Sequence, residues 1–142
     1  MEQNIGFNLI GIKTEQFAII EKAYSKDQET QFSVGLQFKI DQKYKQVGVY
    51  LTFSFEQNKN VFLTIEVSGH FKIKKESWNN FIKEDKISFP QNFMAHLTML
   101  IVGTARGVLH AKTDDSPFNK FLIPTINVTE LVKEDVQFIL EV

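Results

Sequence analysis

The chain has 142 residues, enough for one domain (1-142) that buries roughly two thirds of the surface its unfolded form exposes. Sixteen Lys and Arg stand against 17 Asp and Glu, a formal charge of −1, which excludes the broad basic pull of a nucleic-acid or anionic-lipid binder. Cysteine is absent, so disulfides and thiolate metal sites are excluded and a reducing, cytoplasmic address is expected. The N-terminus, MEQNIGFNLIGIKTEQ, has no basic segment followed by an apolar core, so secretion is not expected. No apolar run approaches the length of a membrane-spanning helix. Fourteen Phe beside three Tyr and one Trp are more than a small core needs, which raises the prospect of an apolar recognition surface.

In chain order, Phe7, Leu9, Ile10 and Ile12 predict a first strand that continues irregularly towards Phe17 and Ile20, with Gly11 as a candidate bulge. From Thr30 the pattern is regular: Phe32, Val34, Leu36, Phe38 and Ile40 alternate with polar residues, the period of a half-buried strand. Val47, Val49, Leu51, Phe53 and Phe55 repeat that period, as do Val61, Leu63, Ile65, Val67, Gly69, Phe71 and Ile73. Short polar loops join these strands, so an antiparallel meander is expected, with Phe32, Phe38, Phe53, Phe55 and Phe71 in the core beneath helices.

Lys74 to Ser88 is a connector of mixed charge with about one helical turn, carrying Trp78, Phe81, Ile82 and Ile87. A long amphipathic helix follows over Phe89 to Lys112, opened by Pro90 in its first turn. Its second stripe, Ala95, Met99, Gly103, Gly107 and Ala111, is mostly small. Two interior glycines cost about 1 kcal/mol each relative to alanine, so a close neighbour across a subunit or sheet interface is expected there. Thr113 to Pro117 is a loop, Phe118 to Ile123 an apolar arm, and Thr129 a cap for a final helix bearing Leu131 and Val132. The tail VQFILEV reads as that helix's continuation or as a short strand. The class is α+β.

No catalytic constellation is present. His70, His96 and His110 are scattered, no HExxH or EF-hand spacing occurs, and Gly103-Thr104-Ala105-Arg106-Gly107 lacks the Lys-Ser/Thr pair of a phosphate loop. No enzyme, cofactor or metal is expected. Asp114 and Asp115 are solvated loop acids, and Asn127-Val128-Thr129 is an idle glycosylation pattern. Arg106 stands where its guanidinium reaches backbone carbonyls or a partner's carboxylate. Trp78, Phe81 and Phe89 lie outside the strand alternation and either cover one end of the core or form the wall of an apolar groove.

The order of parts resembles SecB, the bacterial export chaperone. The matching residues are Phe7-x-Leu9 with Ile12, Val49-x-Leu51, Phe62-Leu63, Gly69-x-Phe71-x-Ile73, Ile87-x-Phe89-Pro90, Arg106-Gly107, and Pro124-x-x-Asn127 with Leu131. The resemblance implies a SecB-like β4α2 subunit, with a four-stranded antiparallel sheet packed against a long helix and a short C-terminal helix. It further implies a homodimer or homotetramer and an ATP-independent holdase for unfolded polypeptides and preproteins in protein export. Trp78, Phe81, Ile82, Phe89, Leu131 and Val132 would then line the polypeptide groove, and Met99, Gly103, Arg106 and Gly107 the contact between subunits. Three departures stand out. Sixteen residues, 108 to 123, separate Gly107 from Pro124, more than the family has there. The chain also stops at Val142 without the family's polar tail, and Glu66 does not clearly match the acidic position of the fourth strand, so docking on the translocation motor is not expected. A dedicated chaperone of the toxin–antitoxin type, or an interaction module with one protein partner, is the alternative.

Overall fold

A computed structural model describes residues 4–141; the readings that rest on positions 1–3 and on the stop at 142 lie outside the described residues. Four strands form the main sheet: β1 (Phe7–Ile19), β2 (Gln31–Asp41), β3 (Gln46–Gln57) and β4 (Asn60–Ile73), in the order β1–β4–β3–β2 with every neighbour antiparallel. The turn Asn58-Lys59 between β3 and β4 has φ of 50° and 67°, the pair of positive values that a two-residue hairpin requires to match strand twist. On β1 the register slips between Leu9 and Gly11 and again between Thr14 and Gln16. The first slip is the bulge that Gly11 marks, and it falls on Ile10 itself.

One face of the sheet is polar. Thr52 donates to Glu66 at 2.7 Å, the Ser54 and Thr64 hydroxyls lie 3.2 Å apart, and the buried Ser68 hydroxyl bonds Glu15 and His70 at 2.9 Å each. The other face carries the apolar set and receives α2 (Gln91–Lys112), which crosses β3 and β4. Phe93, Met94, Leu97, Ile101, Ala105 and Leu109, spaced three and four apart, are its buried stripe. Gly69 sets how closely the helix approaches. A Cβ there would stand 2.0 Å from Ile101 Cδ1, so the absent side chain on β4 is the socket for Ile101.

Both ends of α2 are finished by distant chain. Asp135 Oδ1 accepts from Gln91 N at 2.8 Å, a carboxylate at the positive end of the helix, and Pro90 stands at the cap position rather than inside the first turn. At the other end Asn119 donates to the His110 carbonyl at 3.0 Å and to Thr113 Oγ1 at 3.1 Å. The long segment after Gly107 thus folds back as a C-terminal cap for α2. Its Phe118 is buried in an aromatic cluster with Tyr24, Phe62 and Phe121, whose ring centroids lie 5.0 to 6.2 Å apart.

The connector departs from its expected form. It contains α1 (Lys75–Asn80) and a hairpin of β5 (Ile82–Lys83) and β6 (Lys86–Phe89), to which β7 (Val136–Ile139) adds in antiparallel register as a second small sheet. The final helix, α3 (Val128–Leu131), is one turn, and its cap is Asn127 rather than Thr129: Asn127 Oδ1 accepts from Thr129 N at 3.2 Å. Of the two readings of the tail, the strand holds. The architecture is therefore α+β, a four-stranded antiparallel sheet with one long helix, and it is more elaborate than a plain β4α2 subunit.

A half-covered apolar face and its surroundings

An α-helix is about 10 Å across and strands lie about 4.8 Å apart, so one helix covers roughly two strands of a four-stranded sheet. Here those strands are β3 and β4, and the cost falls on the edges. Along β2 the inward residues Phe32, Val34, Leu36, Phe38 and Ile40 are only half-buried, whereas Val47, Val49, Leu51 and Phe53 on β3 are 0% exposed. Facing β2 across a hollow is the C-terminal segment, with Leu131, Val136, Phe138 and Leu140 also half-buried. The hollow measures about 450 Å³ and is lined by Phe38 and residues 131–137. Gln42, just beyond β2, ties the far end: its amide nitrogen donates to the Glu141 carbonyl and its carbonyl accepts from Glu141 N, both at 2.9 Å. Lys133, Glu134 and Asp135 form a polar rim. The arrangement is an open trough with an apolar floor, a free strand edge on one side and mixed charge on the other.

Apolar surface beside a strand edge has two physical means of holding extended chain. Each large aliphatic or aromatic side chain withdrawn from water contributes about 1.5–3 kcal/mol, and an unpaired strand edge offers backbone donors and acceptors without regard to sequence. Among the described residues no cluster of three His, Asp or Glu side chains is placed to hold a metal ion, and no buried polar side-chain atom lacks a hydrogen-bond partner. Among the same residues no helix is long and apolar enough to cross a membrane.

The residues expected to wall a groove lie elsewhere. Trp78 and Phe81 are 2% and 5% exposed and Phe89 is fully buried, with the Trp78 and Phe81 rings 5.8 and 5.3 Å from that of Phe89. Together with Phe93 and Phe138 they plug the end of the core under the start of α2. Of the two readings open for these aromatics, core cover describes this conformation. Ile82 is half-buried in the small sheet. Only Leu131 and the buried Val132 border the trough. Phe38, expected in the core, is its floor, while Phe32, at the other end of β2, packs half-buried against Phe53 and Phe55 with ring centroids 5.8 and 5.1 Å away. Strand alternation identifies their face but not whether anything covers it; the width of a single helix against four strands was the available signal.

The surplus of aromatics is mostly internal. None of the fourteen Phe is exposed, so no ring is displayed in an open patch.

The proposed contact residues on α2 divide. Met99 is 55% exposed, and a Cβ built on Gly103 or Gly107 meets nothing within 4 Å, so that stripe faces away from the sheet and the sheet-interface reading is set aside. Arg106 donates to the Ile123 and Pro124 carbonyls at 3.0 and 2.8 Å, clamping the proline arm of its own chain onto α2. Leu9 and Ile12 on the inward face of β1 are 45% and 50% exposed, a second uncovered flank.

No protein-family model matches the chain, and no curated protein sequence matches it. Among solved structures, the chain is similar to the SecB-like chaperone Rv1957 of Mycobacterium tuberculosis, solved in complex with a ChAD peptide from the HigA1 antitoxin. The match covers 84% of this chain and 90% of that one, with a TM-score of 0.52 and 10% sequence identity. The chain therefore has a SecB-like fold.

Proposed function

We propose that the protein is an ATP-independent holdase that receives unfolded polypeptide in the trough between β2 and the C-terminal segment. The observation that carries this reading is the row of five half-buried apolar side chains on β2, of which Phe38 lines a hollow together with Leu131 and Val136 of the C-terminal segment. Holding a non-native segment requires apolar area and a sequence-tolerant backbone edge, and no nucleotide. The SecB-like fold supports the same reading, since a neighbour with that fold is a chaperone. Trp78, Phe81 and Phe89 act here from beneath, as packing that fixes the floor, while Leu131 and Val132 border the client. Assembly into dimers or tetramers buries the Met99, Gly103 and Gly107 face of α2 and the Leu9 and Ile12 flank of β1. Work in the cytoplasm on preproteins bound for export belongs to this proposal. A dedicated chaperone with one partner is the second reading, favoured by the neighbour's capture with an antitoxin peptide.

The test is suppression of aggregation of a chemically unfolded protein without ATP. The holdase reading expects suppression by the wild-type chain and its loss in Phe38→Asp, with the fold retained by circular dichroism. No suppression even at molar excess rejects the general holdase. A pull-down that returns one stoichiometric partner rather than a spread of chains selects the dedicated form.

A further inference from the structure

β7 is a lightly held edge strand of the small sheet. It has four residues and pairs with β6 alone, and none of its side chains is fully buried. Val136, Phe138 and Leu140 point to the apolar side and are half-buried, while Ile139 between them is 79% exposed. Hollows lie on both sides of it: the trough floored by Phe38, and another of about 440 Å³ bounded by Asp85, Lys86 and residues 137–139. Beyond the ladder, its attachments are the bond from Leu140 N to the Asp85 carbonyl at 2.8 Å, the Gln42 clamp on Glu141, and the Phe138 ring against Phe89 at 6.2 Å. Segments with few buried contacts and exposed backbone bonds open at the low end of a protein's stability range. The segment is also a portrait of what the site accepts: an extended strand with an apolar side chain at every second position.

We infer that Val136–Glu141 is a displaceable strap, a stand-in for client that fills part of the binding trough. This inference rests on the holdase reading. A client segment with apolar residues at i, i+2 and i+4 lifts the strap, pairs antiparallel with β6, and seats its alternate side chains where Val136, Phe138 and Leu140 lie. The ligand class is thus strand-forming chain rather than amphipathic helix. Because the strap is tethered, it competes at high effective concentration, and it lowers the apparent affinity by the fraction of time it is seated.

The chain's lack of cysteine allows a direct test. Asp85 and Leu140 are a hydrogen-bonded pair, so in the antiparallel alternation the next pair, Lys86 and Ile139, is non-hydrogen-bonded, with Cα atoms about 4.5 Å apart, inside the disulfide range. Both side chains are exposed. The double variant Lys86→Cys/Ile139→Cys is oxidised to an intramolecular disulfide, verified by mass, and its binding to a fluorescent, permanently unfolded protein is compared with that of the reduced form. A synthetic peptide of residues 133–142 is added as competitor, beside a scrambled peptide that breaks the alternation. The strap predicts a loss of roughly tenfold or more on oxidation, restored by reductant, and competition by the native peptide alone. Equal binding by the two forms overturns the strap while leaving the holdase intact. Absence of client binding in wild type and in both forms overturns the holdase reading and this inference with it.

Discussion

Replacing Gly69 by alanine probes how α2 sits on the sheet. The new Cβ would lie 2.0 Å from Ile101 Cδ1 and 2.7 Å from its Cγ1, whereas carbon atoms pack at about 3.5–4.0 Å. Some 1.5 Å of separation must therefore open. Ile101 is 0% exposed, so its terminal methyl has only filled core to swing into, and the alternative is for the helix to rise from β4. Overpacking of this kind costs about 1–3 kcal/mol, and the lower chain entropy of unfolded alanine returns about 0.4–1 kcal/mol. The expected net loss is about 1–2 kcal/mol, read as a lower urea midpoint at unchanged slope. Ile101→Val removes the clashing Cδ1, so in the Gly69→Ala background it should recover part of the loss, a coupling of about 0.5 kcal/mol or more in a double-mutant cycle. If Gly69→Ala is as stable as wild type and the cycle shows no coupling, the helix does not rest on β4 through this contact.

Arg106→Ala removes two charge-assisted bonds to the proline arm from a partly exposed site, so a stability loss of about 1–2 kcal/mol is expected, with faster amide exchange over residues 121–127 and only partial rescue by Arg106→Lys. Trp78 is the sole tryptophan and is 2% exposed, so its emission should be blue-shifted and resistant to acrylamide, and should stay so when client is bound. A red-shifted, quenchable Trp78 would return the groove to the connector. Gly107→Leu has open space around it and favours the helix by roughly 0.5–1 kcal/mol, so the subunit should fold while its sedimentation changes if this face joins subunits. Unchanged sedimentation would remove that face from the assembly.

Much of this architecture is legible in the residues. The three alternating strands, the meander and the long helix follow from periodicity, and Gly11 correctly signals the first bulge of β1. The hairpin of Ile82–Lys83 with Lys86–Phe89 was not legible, because strands of two and four residues are too short for an alternation to register, and the second partner of β6, β7, comes from about fifty residues further along the chain. The tail admitted helix or strand on its own, since Val136, Phe138 and Leu140 carry no cap to arbitrate; pairing with β6 decides it. The second bulge of β1, at Glu15, has no glycine to announce it. The site was the least visible. Aromatics outside the alternation, Trp78, Phe81 and Phe89, are equally suited to a plug and to a wall, and the choice depends on where α2 begins. Conversely Phe32 and Phe38 have a perfect core pattern, yet sit on the edge strand that a single helix leaves half-covered.

The central claim is that client lies on the inward face of β2. Single cysteines placed at Leu36 or Phe38, and at Thr52 on the opposite polar face, can each carry a photo-cross-linker in this cysteine-free chain. Mixed with an unfolded client and irradiated, the Leu36 and Phe38 positions should form adducts and Thr52 should not. Adducts from Thr52, or none from either β2 position while client is demonstrably bound, would contradict the account.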